Sequence, residues 1–225
     1  MKLEIKQFAF LLIVFLIIII ICKHILDVIN SREYFNTLDD YQKNDDNLYD
    51  VNSIDAYLII NLEKEKKRYA SVISNLIETG VNEDKIHRID AVYERWNGHL
   101  GCGKSHIKAL EYAIDKNFKT VAILEDDFNF IEDKDLVNNS IHTFLSNFKN
   151  WDFIDLYYSH IKELQKTNIK GIDKNNGTTG AVGYIVKNNF YDKLLQNRKE
   201  AIDKMQEYTD KHLIKCRDKN NCKRI

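Results

Sequence analysis

Val121-Ala122-Ile123-Leu124, running directly into Glu125-Asp126-Asp127, decides the fold. A short unbroken apolar run stopped by charge is the pattern of a strand buried on both faces, which parallel sheets require. Working outward, the same logic predicts strands at Ala56 to Asn61, Lys85 to Ala91, Thr120 to Leu124, Asp152 to Leu156 and Ala181 to Val186. Between them, helical periodicity predicts helices at Lys64 to Glu78, Cys102 to Asp115, Asp133 to Phe148 and Asn189 to Leu195. Strands alternating with helices define an α/β fold with a mainly parallel central sheet. In open sheets of that kind, ligands collect at the carboxyl ends of the strands.

Three adjacent carboxylates at such an end repel one another and lose hydration, so they need a counterion, and a hard divalent cation is the natural one. In an extended stretch Glu125 and Asp127 point to the same side, which suits them to share Mn²⁺ or Mg²⁺. Glu125, Asp126 and Asp127 are therefore the expected metal ligands, against the alternative of a charged strand terminus whose acids cap the next helix.

Gly98-His99-Leu100-Gly101-Cys102-Gly103-Lys104-Ser105 matches the phosphate-loop pattern G-x-x-x-x-G-K-[ST] at every required position. Its context is wrong. A phosphate loop follows an apolar buried strand, whereas Val92-Tyr93-Glu94-Arg95-Trp96-Asn97 is polar and mixed.

The chain has 225 residues, with 33 basic and 34 acidic side chains interspersed, so no overall field favours nucleic acid and that class of partner is excluded. Phe8 to Cys22 is an unbroken apolar run flanked by Lys2, Lys6, Lys23 and His24. At roughly 1.5 Å per residue it falls short of the roughly 30 Å hydrocarbon core, although Ile25, Leu26, Val28 and Ile29 extend it. No small-residue cleavage pattern follows, so residues 1–29 read as an uncleaved single-pass membrane anchor. Residues 30–53, with Asp39, Asp40, Asp45, Asp46 and Asp50, read as a solvated acidic stem, and residues 54–225 as one folded domain. Flanking charge is nearly balanced, and a lumenal domain is the preferred orientation. Asn138-Asn139-Ser140 and Asn176-Gly177-Thr178 are glycosylation patterns that would matter in a lumen, as would a bridge between Cys216 and Cys222. The basic run Lys211 to Arg224 reads as a solvated tail.

Four segments taken together resemble glycosyltransferase family 25, which includes lipooligosaccharide and collagen galactosyltransferases. They are Leu58-Ile59-Ile60-Asn61-Leu62 with Arg68 downstream, Arg88-Ile89-Asp90-Ala91-Val92, Leu100-Gly101-Cys102-Gly103-Lys104-Ser105-His106-Ile107-Lys108-Ala109-Leu110, and the strand ending in Glu125-Asp126-Asp127. The third is similar to the family's Gly-Cys-x-x-Ser-His-x-x-Ala stretch and makes the phosphate-loop match a coincidence. The resemblance spans roughly residues 55 to 197. It departs from the family where Glu63-Lys64-Glu65-Lys66-Lys67 replaces a customary proline, and the chain ends soon after Ala201-Ile202-Asp203, which is similar to a later family aspartate.

The resemblance implies a GT-A-type nucleotide-sugar fold and an inverting, metal-dependent transfer of a hexose, galactose or glucose, from a UDP-sugar donor onto a hydroxyl of a glycan or protein acceptor. Breaking the glycosidic bond places charge on a diphosphate leaving group, so the catalytic demand is electrostatic. Asn61, Arg68 and Asp90 are expected at the nucleotide-sugar, with Asp90 accepting from a ribose hydroxyl. Ser105 and His106 are expected to open a helix after Gly103, where free amide groups and the helix dipole favour phosphate. Inversion needs a carboxylate base at the acceptor hydroxyl, for which Asp155 and Asp203 qualify beside the metal-binding Asp127. The loop Asp173 to Gly180 suits an acceptor rim. Two other classes compete with a glycosyltransferase: a phosphate-loop nucleoside-triphosphatase, and a membrane-anchored module that keeps the fold without turnover.

Overall fold

The buried strand that the apolar run requires forms at Thr120–Glu125 and lies at the centre of a five-stranded sheet. The computed structural model describes residues 49–219, except 158, 159, 162, 170, 171, 176 and 177. The expected anchor, most of the expected stem and Cys222 lie outside the described residues. Among those described, no helix is long and apolar enough to cross a membrane.

In chain order the elements are β1 (Ala56–Asn61), α1 (Lys66–Thr79), β2 (Ile86–Asp90), α2 (Gly98–Asp115), β3 (Thr120–Glu125), α3 (Lys134–Asn147) and β4 (Phe153–Asp155). Four short strands follow, β5 (His160–Ile161), β6 (Leu164–Lys166), β7 (Asp173–Asn175) and β8 (Thr178–Thr179), then β9 (Gly183–Lys187) and α4 (Tyr191–Lys219). The sheet order is β2-β1-β3-β9-β4. β2 and β3 run parallel to β1, β9 runs antiparallel to β3, and β4 antiparallel to β9. The sheet is therefore mixed, with β9 alone reversed, so β1, β2, β3 and β4 all end at the same edge.

Side-chain alternation along the strands builds two cores. Tyr57, Ile59, Ala122 and Leu124 face one side, where Val72 and Leu76 of α1 and Val137 and Ile141 of α3 cover them. Leu58, Ile60, Val121 and Ile123 face the other, under Ala109, Leu110 and Ala113 of α2 and Tyr191 and Leu194 of α4. The result is a three-layer α/β arrangement, which is why β1 and β3 read as continuous apolar runs rather than alternating ones.

Two expectations about helices are corrected. Helix α2 begins at Gly98, not after Gly103: the Asn97 side chain caps it by accepting from the Leu100 amide at 3.2 Å. The apparent phosphate loop is thus the first two turns of a helix, and Lys104 is spent on Glu94 at 2.6 Å and Gln206 at 3.2 Å. The second correction is α4, which runs to Lys219 and absorbs much of the expected solvated tail. Its inward stripe of Tyr191, Leu194, Arg198, Ile202, Met205, Thr209 and Cys216 has helical spacing, but the polar members hide it from an apolar count. Cys216 is disulfide-bonded.

Of the two glycosylation patterns, one is structurally occupied. The Asn138 amide donates to the Thr79 and Lys134 carbonyls at 3.1 and 2.8 Å and accepts from the Val51 amide at 3.0 Å, so it ties the segment before β1 and the end of α1 to α3 rather than presenting a free acceptor. Asn176 lies outside the described residues.

Gly101 is where α2 approaches the preceding segment most closely: a Cβ there would lie 2.6 Å from the Val92 carbonyl oxygen and 3.1 Å from the Glu94 nitrogen. At Gly103 the obstacle is the end of the Ile202 side chain at 2.5 Å, which can rotate away. Gly101→Ala is expected to lower stability by about 2 kcal/mol from overpacking against backbone, and Gly103→Ala to change it by less than about 1 kcal/mol because better helix propensity offsets the adjustment. Urea unfolding midpoints of the two variants check this order.

Candidate functional site

Four carboxyl-end residues meet along one sheet edge because the strands that carry them are in register: Asn61 of β1 pairs with Asp90 of β2, and Ile60 with Glu125 of β3. Asp155 ends β4 and pairs with Tyr184, which in turn pairs with Ile123. Asn61, Asp90, Glu125 and Asp155 therefore stand on the same edge of the sheet, in the position that the α/β rule reserves for ligands.

The acidic triplet does not act as one unit. The strand ends at Glu125 and the chain turns through Asp126 and Asp127, so the extended-chain alternation that would put Glu125 and Asp127 on one side does not apply. Asp126 and Asp127 instead converge on Arg68: its Nη2 lies 2.7 Å from Asp126 Oδ1 and 2.8 Å from Asp127 Oδ2. Asn61 adds a hydrogen bond from Nδ2 to Asp126 Oδ2 at 2.7 Å. Burial pushes the Asp126 carboxyl above its ordinary value, while the Asn61 hydrogen bond and the Arg68 charge oppose that shift. Asp126 is largely covered, at 10% side-chain exposure, whereas Asp127 is open at 55%.

Glu125 turns away from this pair toward α2. Its Oε1 lies 3.4 Å from Cys102 Sγ and 3.4 Å from His106 Nε2. The other ring nitrogen of His106 sits 3.1 Å from the Tyr184 hydroxyl, and the two rings stack. Burial holds His106 below its ordinary value, so the His106–Glu125 contact joins a neutral ring to a carboxylate. The His106 hydrogen bond in turn holds Glu125 below the usual carboxylate range. Burial, reinforced by Glu125, pushes the Cys102 thiol up to about 12.

Ser105 and His106 lie in the third turn of α2, not at its start. Ser105 Oγ accepts from the Val92 amide at 2.8 Å and donates to the Gly101 carbonyl at 2.7 Å, so it locks the β2–α2 connection instead of offering itself to phosphate. The amides expected to bind phosphate there are inside the helix, because Asn97 has taken over the cap.

On the β2 side, Arg88 donates to Asn61 Oδ1 at 3.1 Å and pairs with Asp90. Asp90 is exposed at the strand end. Asp155 is half-buried and accepts from Asn175 Nδ2 of β7 at 2.7 Å, so the segment expected to form an acceptor rim is a strand arm tied to the edge of the sheet. Asp203 is exposed on α4, next to the Ile202 that packs on Gly103.

Three residues of this site escaped sequence reasoning: Cys102, Tyr184 and Arg198. Arg198 reaches the Tyr184 ring, its guanidinium carbon 5.8 Å from the centroid. Cys102 and His106, four apart inside the helix expected at Cys102 to Asp115, share one helix face by spacing alone, but nothing local pairs that face with Glu125.

The acidic turn at the carboxyl end of the central strand, flanked by Asn61 of the first strand and Arg68 of the first helix, stands at the edge where open α/β sheets bind ligands. A family model, glycosyltransferase family 25 (LPS biosynthesis protein), matches residues 82–212. The chain belongs to this family and is a glycosyltransferase. No curated protein matches it. The matched region begins after Asn61 and Arg68, so those two enter the site on geometry alone.

Because His106 is held below its ordinary value of 6.5, the unfolded chain binds more protons there than the folded one. Stability from this residue is therefore complete above pH ~6.5 and falls as pH drops toward the folded value. Glu125, also depressed, adds loss of the same sign further into the acid range, whereas the raised Asp126 opposes it there. Denaturation midpoints are expected to fall as pH goes from 7 to 5, and less steeply in His106→Gln; a His106 ring signal titrating at or above 6.5 by NMR would contradict the burial argument.

Proposed function

We propose that the chain transfers a hexose from a UDP-sugar to a hydroxyl of a glycan or protein acceptor, with inversion, on a GT-A-type sheet, and that Mn²⁺ or Mg²⁺ is held by Asp126 and Asp127. The observation that carries this reading is the convergence of both carboxylates on a single positive centre, Arg68, at the carboxyl end of β3. Two carboxylates brought to one cation by the fold are suited to a hard divalent ion, which binds through one or two carboxylates plus phosphate oxygens and waters. When bound, such an ion neutralises the charge that grows on the diphosphate leaving group.

The chain's own residues supply the rest. Asn61 orients Asp126 and, through its carbonyl-side oxygen, Arg88. Arg68, on α1 and about half exposed, adds positive charge on the diphosphate side. Asp90, exposed beside Arg88 at the end of β2, accepts from the ribose. Asp155 is favoured as the base over Asp203, since it stands on the same sheet edge as the acidic turn while Asp203 is exposed on α4. Glu125 does not share the ion in this reading, and Ser105 and His106 shape the wall of the site rather than bind phosphate. The apolar run Phe8 to Cys22 is proposed to anchor this domain to a membrane on which the acceptor is presented.

With the full chain, a UDP-hexose and Mn²⁺, Asp127→Ala is expected to lower turnover by about 10²-fold or more, the scale of losing a charge-stabilising group. Asp155→Asn is expected to lower turnover with little change in donor affinity measured by calorimetry. Full transfer in the presence of EDTA, or undiminished transfer by Asp127→Ala, would overturn the metal assignment.

A further inference from the structure

Away from the acidic pair, α2 and the end of β3 bring three metal-ligating atoms of different chemistry to one point. Cys102 Sγ, His106 Nε2 and a Glu125 oxygen all lie within 4.8 Å of one another. Both contacts to Glu125 are 3.4 Å. For a nitrogen-to-oxygen hydrogen bond that is long. It is, however, the edge of a coordination tetrahedron: Zn–S of about 2.3 Å with Zn–N and Zn–O of about 2.0–2.1 Å separates neighbouring ligand atoms by roughly 3.3–3.6 Å. The helix places Cys102 and His106 four residues apart on one face, and the strand end supplies the third ligand from a different element.

The surroundings are those of a metal-binding histidine. His106 is fully buried, and its second nitrogen is held by the Tyr184 hydroxyl at 3.1 Å, which fixes the ring with Nε2 toward Glu125. Tyr184 is itself buried, with the Arg198 guanidinium carbon 5.8 Å from its ring centroid. We propose that Cys102, His106 and Glu125 form a zinc-type site, distinct from the acidic pair, that takes a borderline divalent transition metal and leaves a fourth position to water.

Binding replaces the thiol proton and switches the imidazole tautomer: the S–H bond breaks, a Zn–S bond forms and that proton passes to solvent, while the ring proton leaves Nε2 and is carried on Nδ1, from which the Tyr184 oxygen accepts. Thiolate, carboxylate and neutral imidazole around Zn²⁺ sum to zero charge, which suits a largely covered position. A bound divalent cation stabilises the thiolate directly, against the burial and the Glu125 charge that otherwise keep Cys102 protonated. A hard ion such as Mg²⁺ gains nothing from sulfur, so the two sites select different metals by ligand type. The metal would tie the first turns of α2 to the end of β3, fixing the start of the acidic turn.

The test uses the full chain loaded with Co²⁺ or Zn²⁺ alone, without donor or acceptor. Expected are about one equivalent of tightly held zinc, a thiolate-to-cobalt charge-transfer band, and a rise in melting temperature with Zn²⁺. Cys102→Ser should abolish the band and the rise. Tyr184→Phe should weaken zinc about tenfold through loss of the orienting hydroxyl. Asp127→Ala should leave band and affinity as they are, even where it stops sugar transfer, so this proposal and the proposed function fail separately. A cobalt spectrum without sulfur ligation, zinc retained equally by Cys102→Ser, or binding lost in Asp127→Ala would each overturn it.

Discussion

The termination of a fully buried strand in consecutive carboxylates is the constraint on which the rest of this structure depends. Val121, Ala122, Ile123 and Leu124 are covered on both faces, so the strand cannot move to rehydrate the charges at its end. Compensation must come from neighbouring elements, and each does so in its own direction. β1 and α1 send Asn61 and Arg68 to Asp126 and Asp127, and α2 sends Cys102 and His106 to Glu125. A negative strand end left unmatched would lose more in desolvation than any single packing contact returns.

That division splits one sequence motif into two environments. The half-open side, with Asp127 and Arg68 exposed to solvent, is polar, as the proposed binding of a diphosphate and a hard ion requires. The closed side, behind Glu125, is built from a buried imidazole stacked on a buried phenol and a thiol pushed toward neutrality. Adjacent residues can serve such different chemistries because the backbone turns immediately after β3, sending successive side chains to opposite sides of the strand end.

Much of the architecture was legible in advance. Each expected strand of the main sheet forms within a residue or two; β1, β3 and β9 are plain because strands buried on both faces are apolar almost throughout, whereas β2 and β4 are only partly covered. The helices α1 and α3 were equally plain, since their apolar stripes face one core. Where the reading failed, the cause was polar participation in packing. Helix α4 hides its inward stripe behind Arg198 and Thr209, and α2 starts earlier than expected because its first turn is glycine-rich and capped by Asn97, with Gly101 needed for close approach to Val92. A motif search alone would have turned that same stretch into a phosphate loop; the helix that contains it leaves its amides bonded within the helix.

The order and type of the elements, the edge at which a ligand belongs, and the need of the acidic turn for positive partners follow from composition and spacing, because they depend on period, burial and charge, which are local properties of the chain. The partners themselves do not. That Arg68 takes both aspartates, that Glu125 turns instead to a cysteine and a histidine, and that Tyr184 and Arg198 stand behind that histidine depend on strand order β2-β1-β3-β9-β4 and on which face each helix covers. Those contacts join residues far apart in sequence, and their choice is made only when the sheet is assembled.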